Sequence, residues 1–279
     1  GVGPGGHITD ALMLGIDPPD LRPRMAESLD VVLRLMSTTE PITVESDWFT
    51  LREAVLQLRP HQRPYPPVFV TSMESPAGMV QAGTHGTGVL SLAVSKAKGG
   101  PVDLSGQWRI AEEVADESGA DLDRANWRIA LPMYIAESRR KAFEQAREGA
   151  AAFLLDYTEG VTGRPSPVPG PRDRVIEQMA ERGSWVVGTP DDAITAIERL
   201  IEETGGFGGL AVWGHEWAGR EEILRNHELF AKEVAPRFQG SLDGILSSQK
   251  IAQSRSKEAH ERRTDAVARA KEAHEKSRG

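Results

Sequence analysis

The chain has 279 residues, 27% of them charged and 39% hydrophobic, the balance of an ordinary globular protein. A net charge of −8 argues against a broad basic face for nucleic acid, and the lack of cysteine excludes disulfides, thiolate chemistry and zinc–sulfur sites. No apolar run approaches a membrane-spanning length and no signal peptide is visible, so a cytoplasmic location is expected.

The first residues, Gly1-Val2-Gly3-Pro4-Gly5-Gly6, lack an initiator Met and read as loop, so upstream residues are expected to be absent or processed away. Residues 1–20 as a whole are rich in Gly and Pro. An amphipathic helix is predicted over 22–36, with Met25, Leu29, Val32, Leu35 and Met36 near helical spacing. Residues 41–59 read as an extended excursion. The prolines of 60–67 then lead into a short β-branched strand, Val68-Phe69-Val70. That strand stops at the turn Thr71-Ser72-Met73-Glu74-Ser75, and a helix pattern follows with Pro76 at its first position.

A strand running into a helix N-terminus through a hydroxyl-rich turn can hold an anion, because free N–H groups and the helix dipole converge there. The same residues also suit a plain N-cap by Ser72 or Ser75.

Further strands are predicted at 88–93, 127–136 and 209–213. Helices are predicted at 103–118, stopped by Gly119, and at 139–155. The Pro- and Gly-rich stretch 158–173 reads as a lid or mobile loop. A short helix follows at 174–182. Thr189-Pro190-Asp191-Asp192 has the form of a helix start, with Thr189 as cap and the two aspartates as charges at the positive end. The helix it opens closes at Gly205-Gly206, and another is predicted over 220–234. Residues 241–279 are polar and charged and read as an exposed helix or frayed tail.

Strand–helix alternation of this kind predicts an α/β fold with parallel strands and a site at their carboxyl ends. Candidate positions are therefore 71–75, 91–95, Glu137-Ser138 and 213–217. His85 falls at the opposite end and reads as structural, while Trp48, Trp108 and Trp127 read as packing residues. No spacing of His, Asp or Glu suggests a metal.

Taken in order, several stretches resemble the bacterial-luciferase-like flavin-dependent monooxygenases, in particular their limonene-monooxygenase-like group. The carriers are Gly1-Val2-Gly3-Pro4-Gly5, the run from Asp10 to Asp17, Arg24-Met25-Ala26-Glu27-Ser28-Leu29-Asp30-Val31, the strand and turn at 68–83, and Val187-Gly188-Thr189-Pro190. The resemblance spans about 1–240. It implies a TIM (β/α)8 barrel represented by its last four to five β/α units, with Gly1-Val2-Gly3 ending the fourth strand. It further implies that Ser75 and Ser72, with Glu74 ranked below them, grip the flavin phosphate, helped by Arg24 or its neighbour Arg22. Gly3, Pro4 and Gly5 would lie against the flavin ring. Luciferases proper carry a cysteine and an arginine there, so light emission from an aldehyde is not implied.

The implied chemistry uses reduced FMN or FAD and O₂. A hydroperoxide at flavin C4a would deliver one oxygen to a small apolar alkene, ketone or aldehyde. His7 is a candidate catalytic proton donor or a surface loop histidine; Trp213, His215 and Trp217 are candidate substrate-pocket residues or barrel packing. Implied partners are a separate flavin reductase and a second copy of the chain in a homodimer. An F420-dependent oxidoreductase on the same fold is the alternative enzyme, and a non-catalytic barrel relative the alternative of another class.

Overall fold

Parallel strands form the centre of the computed structural model, which describes residues 1–73, 75–92, 102–214, 216–241 and 243–276. Two compact units are present, Gly1–His227 and Glu228–Gly279.

In the first unit, α1 (Ile8–Met13) and α2 (Leu21–Ser37) precede a hairpin of β1 (Ile42–Glu45) and β2 (Thr50–Ala54). Then come β3 (Phe69–Ser72), α3 (Ala77–His85), β4 (Gly88–Leu92), α4 (Leu104–Ser118), β5 (Trp127–Ile135) and α5 (Arg139–Ala151). After α6 (Val175–Glu181), β6 (Val186–Gly188), α7 (Pro190–Thr204) and β7 (Gly209–Trp213), the helix α8 (Arg220–Leu229) reaches the end of the unit.

The predicted strands are all present, each within two residues of its expected bounds. They pair in parallel as β3-β4-β5, with β7 on β5 and the short β6 on the last residues of β5. Val2 extends the sheet beyond β3: its N–H donates to Phe69 O and its carbonyl accepts from Thr71 N–H, both at 2.8 Å. Gly1-Val2-Gly3 therefore lies beside β3, as expected for the preceding strand's end. The described strands form an open sheet, not a closed ring.

Local sequence explains most boundaries. Asp103 accepts from Gly106 N–H and starts α4, and Gly119 ends it at φ 65°, which favours a residue without Cβ. Thr189 and Asp192 complete a reciprocal capping box at α7. Three expectations need correction. Residues 8–13 are helical, not loop; β6 adds a strand; and Val32 on α2 is exposed while Val31 and Leu33 are buried. The row Met25, Leu29, Leu33 repeats every fourth residue and packs on Val70, which turns Val32 outward.

Three packed groups hold the sheet. Alanines 142, 146 and 150 let α5 approach a core containing Trp185, Trp217, Val175 and Ile176. Trp108 and Trp127 stack with centroids 4.6 Å apart beneath the Arg124 guanidinium, and the Trp127 indole donates to Ser91. The third group is the α2 row on Val70. In the second unit, α9 (Ala235–Phe238) is followed by α10 (Asp243–Ser254) and α11 (Ser256–Lys276), whose described side chains are exposed. No described helix is long and apolar enough to cross a membrane.

Candidate active site

At the carboxyl end of β3, the chain turns directly into α3. Ser72 is 3% exposed, and among the described residues its hydroxyl has no hydrogen-bond partner. A buried hydroxyl left so costs about 1–3 kcal/mol until something bonds to it. The Ser75 hydroxyl accepts from Arg22 Nε at 3.2 Å. Neither serine caps α3. Pro76, predicted as the first helical residue, instead occupies the cap position with no side-chain cap bond, so α3 begins one residue later, at Ala77. The first intrahelical bond is Val80 N–H to Pro76 O, so the N–H groups of Ala77, Gly78 and Met79 have no acceptor within the helix.

Two glycines close around Thr71. A Cβ on Gly3 would lie 2.3 Å from Thr71 Oγ1, and one on Gly78 would lie 2.3 Å from the Thr71 carbonyl oxygen. Only glycine lets both the N-terminal loop and the start of α3 approach β3 this closely.

These groups form one end of a cleft of about 1100 Å³. Much of the rest of its lining is aromatic. A π-helical segment, Ala152–Glu159, continues α5 and presents Phe153, Leu154, Tyr157 and Thr158 to the cleft. Phe153 meets Tyr157 at 6.2 Å, Trp213 at 6.4 Å and Trp185 at 6.5 Å between ring centroids. Leu92, Pro132 and Met179 add apolar surface, and residues 162–165 with Pro167 line one side. His7 Nε2 lies 3.5 Å from Tyr157 Oη. Arg164 brings a second guanidinium, with Nη1 3.2 Å from Met73 Sδ. Among the described lining residues there is no Asp or Glu, so the charged groups at the cleft are cationic.

The structure thus gathers Gly3, Pro4, Gly5, His7, Ser72, Ser75 and Trp213 around one space. Arg24 does not join them. It pairs with Asp20 at 3.9 Å and sits 5.4 Å over the Trp48 ring, while Arg22 lines the cleft. Two residues along a helix turn a side chain about 200°, so only one of the two can face α3. Trp217 is buried against Trp185 and does not line the cleft. Glu74, His215 and positions 93–95 lie outside the described residues.

Glu137 and Ser138 also stay away from the cleft. Ser138 caps α5 by accepting from Lys141 N–H, and Glu137 pairs with Arg225 at 2.8 Å. The Arg225 hydrogen bond holds the Glu137 carboxyl down to about 2. The reason is register. Pro132 is level with Trp213, so β5 runs on to Ile135 past the cleft floor, and Pro132 rather than the strand's end faces the site. Reading strand ends alone misses Pro132. It also misses Tyr157, Phe153 and Trp185, which no strand end carries. Nor do the described residues contain a group of three or more His, Asp or Glu able to hold a metal.

Among the described residues, the donor set fits a phosphate: an unpartnered buried hydroxyl, a second hydroxyl held by a guanidinium, and helix N-terminal N–H groups without an intrahelical acceptor. The aromatic wall fits a flat ring system, and the volume exceeds that of a usual single-ligand pocket.

Residues 1–206 match the family described as luciferase-like monooxygenase. The chain is 43% identical over 251 residues to 4-hydroxyprotoasukamycin monooxygenase of Streptomyces nodosus subsp. asukaensis, covering 89% of this chain and 67% of the relative. It is 40% identical over 242 residues to limonene 1,2-monooxygenase of Rhodococcus erythropolis, covering 87% of this chain and 61% of that one. The chain therefore spans roughly two thirds of these relatives. Among solved structures, the oxygenating constituent of 3,6-diketocamphane monooxygenase of Pseudomonas putida in complex with FMN superposes with a TM-score of 0.61 at 22% identity, over 84% of this chain and 70% of that one.

Proposed function

Because the chain belongs to the luciferase-like monooxygenase family, we propose that its cleft binds reduced FMN by the phosphate and oxygenates a small apolar substrate beside the ring. The observation that carries this reading is the buried, partnerless Ser72 hydroxyl at the start of α3, next to Ser75 and Arg22 in a cleft wall free of described carboxylates. When bound, the reduced flavin supplies the two electrons that let one atom of O₂ enter the substrate while the other leaves as water.

The chain's own residues do the rest. Ser72, Ser75, Arg22 and the N–H groups of Ala77 and Gly78 hold the phosphate dianion. Gly3, Pro4 and Gly5 let the backbone come flat against the ring. Phe153, Trp185, Trp213 and Leu92 exclude water from the reacting face. His7, at the cleft mouth, carries an exchangeable ring proton toward the substrate side. Reduced flavin would come from a separate flavin reductase, and the working assembly would be a homodimer.

Titration with FMN and with riboflavin tests the phosphate grip. Each charge-assisted bond contributes about 1.5–3 kcal/mol, so FMN should bind at least ~100-fold more tightly. Equal affinity for the two would sink the proposal. Tight binding of F420 with no flavin affinity would instead point to deazaflavin-dependent hydride transfer.

A further inference from the structure

We infer that the substrate of this cleft carries a hydrogen-bond-accepting oxygen, as a cyclic ketone, enone or quinone does, and that Tyr157 and His7 select for it. This rests on the proposed oxygenation site and narrows its substrate class. Tyr157 Oη and His7 Nε2 lie 3.5 Å apart although 150 positions separate them in the chain. A phenol owns one O–H and a neutral imidazole one N–H, so the pair has two donors. Their mutual hydrogen bond uses one of them in either tautomer. Among the described residues, neither side chain makes another hydrogen bond, so one donor is left for a ligand.

The surroundings give that donor its meaning. Tyr157 is 46% exposed, hence reachable, yet its ring neighbour Phe153 leads to Trp213 and Trp185. The phosphate-gripping groups sit on β3, α2, the turn before α3 and the start of α3, none of which carries this pair. A hydrocarbon filling the aromatic end strips water from the spare donor and offers nothing in return. A carbonyl oxygen accepts from it. For one partly exposed donor, discrimination of about tenfold is expected.

The probes are tert-butylcyclohexanone and its methylidene analogue, which differ only in C=O against C=CH₂. Affinities are measured by tryptophan fluorescence quenching, with and without oxidised FMN. The ketone-to-alkene affinity ratio is expected to fall about tenfold in the double variant Tyr157→Phe, His7→Leu. Each single variant should lose less, because one donor remains. An unchanged ratio in the double variant overturns the inference, as does failure of the ketone to bind the wild-type protein at millimolar concentration.

A second readout needs no variant. The carbonyl stretch of the bound ketone should lie at lower frequency than in an apolar solvent, and an unshifted stretch overturns the inference. Both readouts are independent of the phosphate grip. Loss of FMN binding with carbonyl selection intact, or the reverse, therefore shows which of the two readings has failed.

Discussion

Gly78→Ala tests whether the close approach of α3 to β3 makes the phosphate site. The added Cβ would meet the Thr71 carbonyl oxygen at 2.3 Å and Ser72 Cβ at 3.1 Å, both inside ordinary contact distance. The first neighbour is backbone and cannot swing away, so the start of α3 must withdraw from β3 by roughly 1 Å. Overpacking of this kind costs about 1–3 kcal/mol. Replacing a helical glycine returns up to about 1 kcal/mol. The net expectation is a loss of about 1–2 kcal/mol in urea unfolding followed by circular dichroism. Because the free N–H groups move with the helix, FMN affinity should fall by about tenfold to a hundredfold, read from quenching of flavin fluorescence. Gly244→Ala is the matched control. It too is the second residue of a helix, and its Cβ would meet nothing within 4 Å. That variant should keep wild-type FMN affinity. If Gly78→Ala retains both its unfolding midpoint and its FMN affinity, the contact between α3 and Thr71 does not shape the site.

Ser72→Ala should separate stability from binding: removing an unpartnered buried hydroxyl leaves the apoprotein as stable or up to about 1–2 kcal/mol more so, while FMN affinity falls about tenfold. A parallel loss of both, in melting and titration experiments, would mean that the hydroxyl is structural. Arg22→Ala should weaken FMN binding about tenfold or more and leave riboflavin binding unchanged, whereas Arg24→Ala should alter neither; the reverse ranking in the same titrations would return the phosphate contact to Arg24. Asp192→Asn should cost about 1 kcal/mol at neutral pH through the capping box of α7. The Arg139 hydrogen bond, followed by bonds from the Thr189 N–H and hydroxyl, holds the Asp192 carboxyl below its ordinary value of 3.8. A depressed folded pKa means that the stabilisation is complete above the unfolded value and drains away as pH falls through the folded one. Thermal midpoints of wild type and Asp192→Asn should thus converge as pH drops from roughly 5 to below 3, and a constant gap would contradict this assignment.

Features set by neighbours in sequence were legible. Gly119 and Thr189 mark helix ends because their work is done within four residues of chain. The strands of the parallel sheet stood out because each is a short apolar run between turn residues. The outward turn of Val32 on α2 was not legible: Val31, Val32 and Leu33 are all apolar, and it is Leu33 that packs with Met25 and Leu29 on Val70. Residues 8–13 escaped notice because the helix is short, buries only Ala11 and lies among glycines and prolines.

The site divides along the same physical line. Its anion end is a strand, a turn and a helix start within a dozen residues, so serines and glycines there carry their own signal. Its aromatic end depends on α5 passing into π-helical geometry, with bonds such as Gly160 N–H to Leu155 O and Thr162 N–H to Tyr157 O. A π-turn takes in one more residue than an α-turn and so rotates everything after it by about 100° relative to a 3.6-residue count. A periodicity reading that ends the helix at Leu155 has no reason to place Tyr157 opposite His7. The geometry also explains why the two ends serve different tasks. The phosphate grip is built from backbone that α3 and β3 fix in place, whereas the substrate wall hangs on one widened helical turn. Insertion or deletion of one residue between α5 and Tyr157 would redirect Tyr157 while leaving Ser72 and Gly78 where they are.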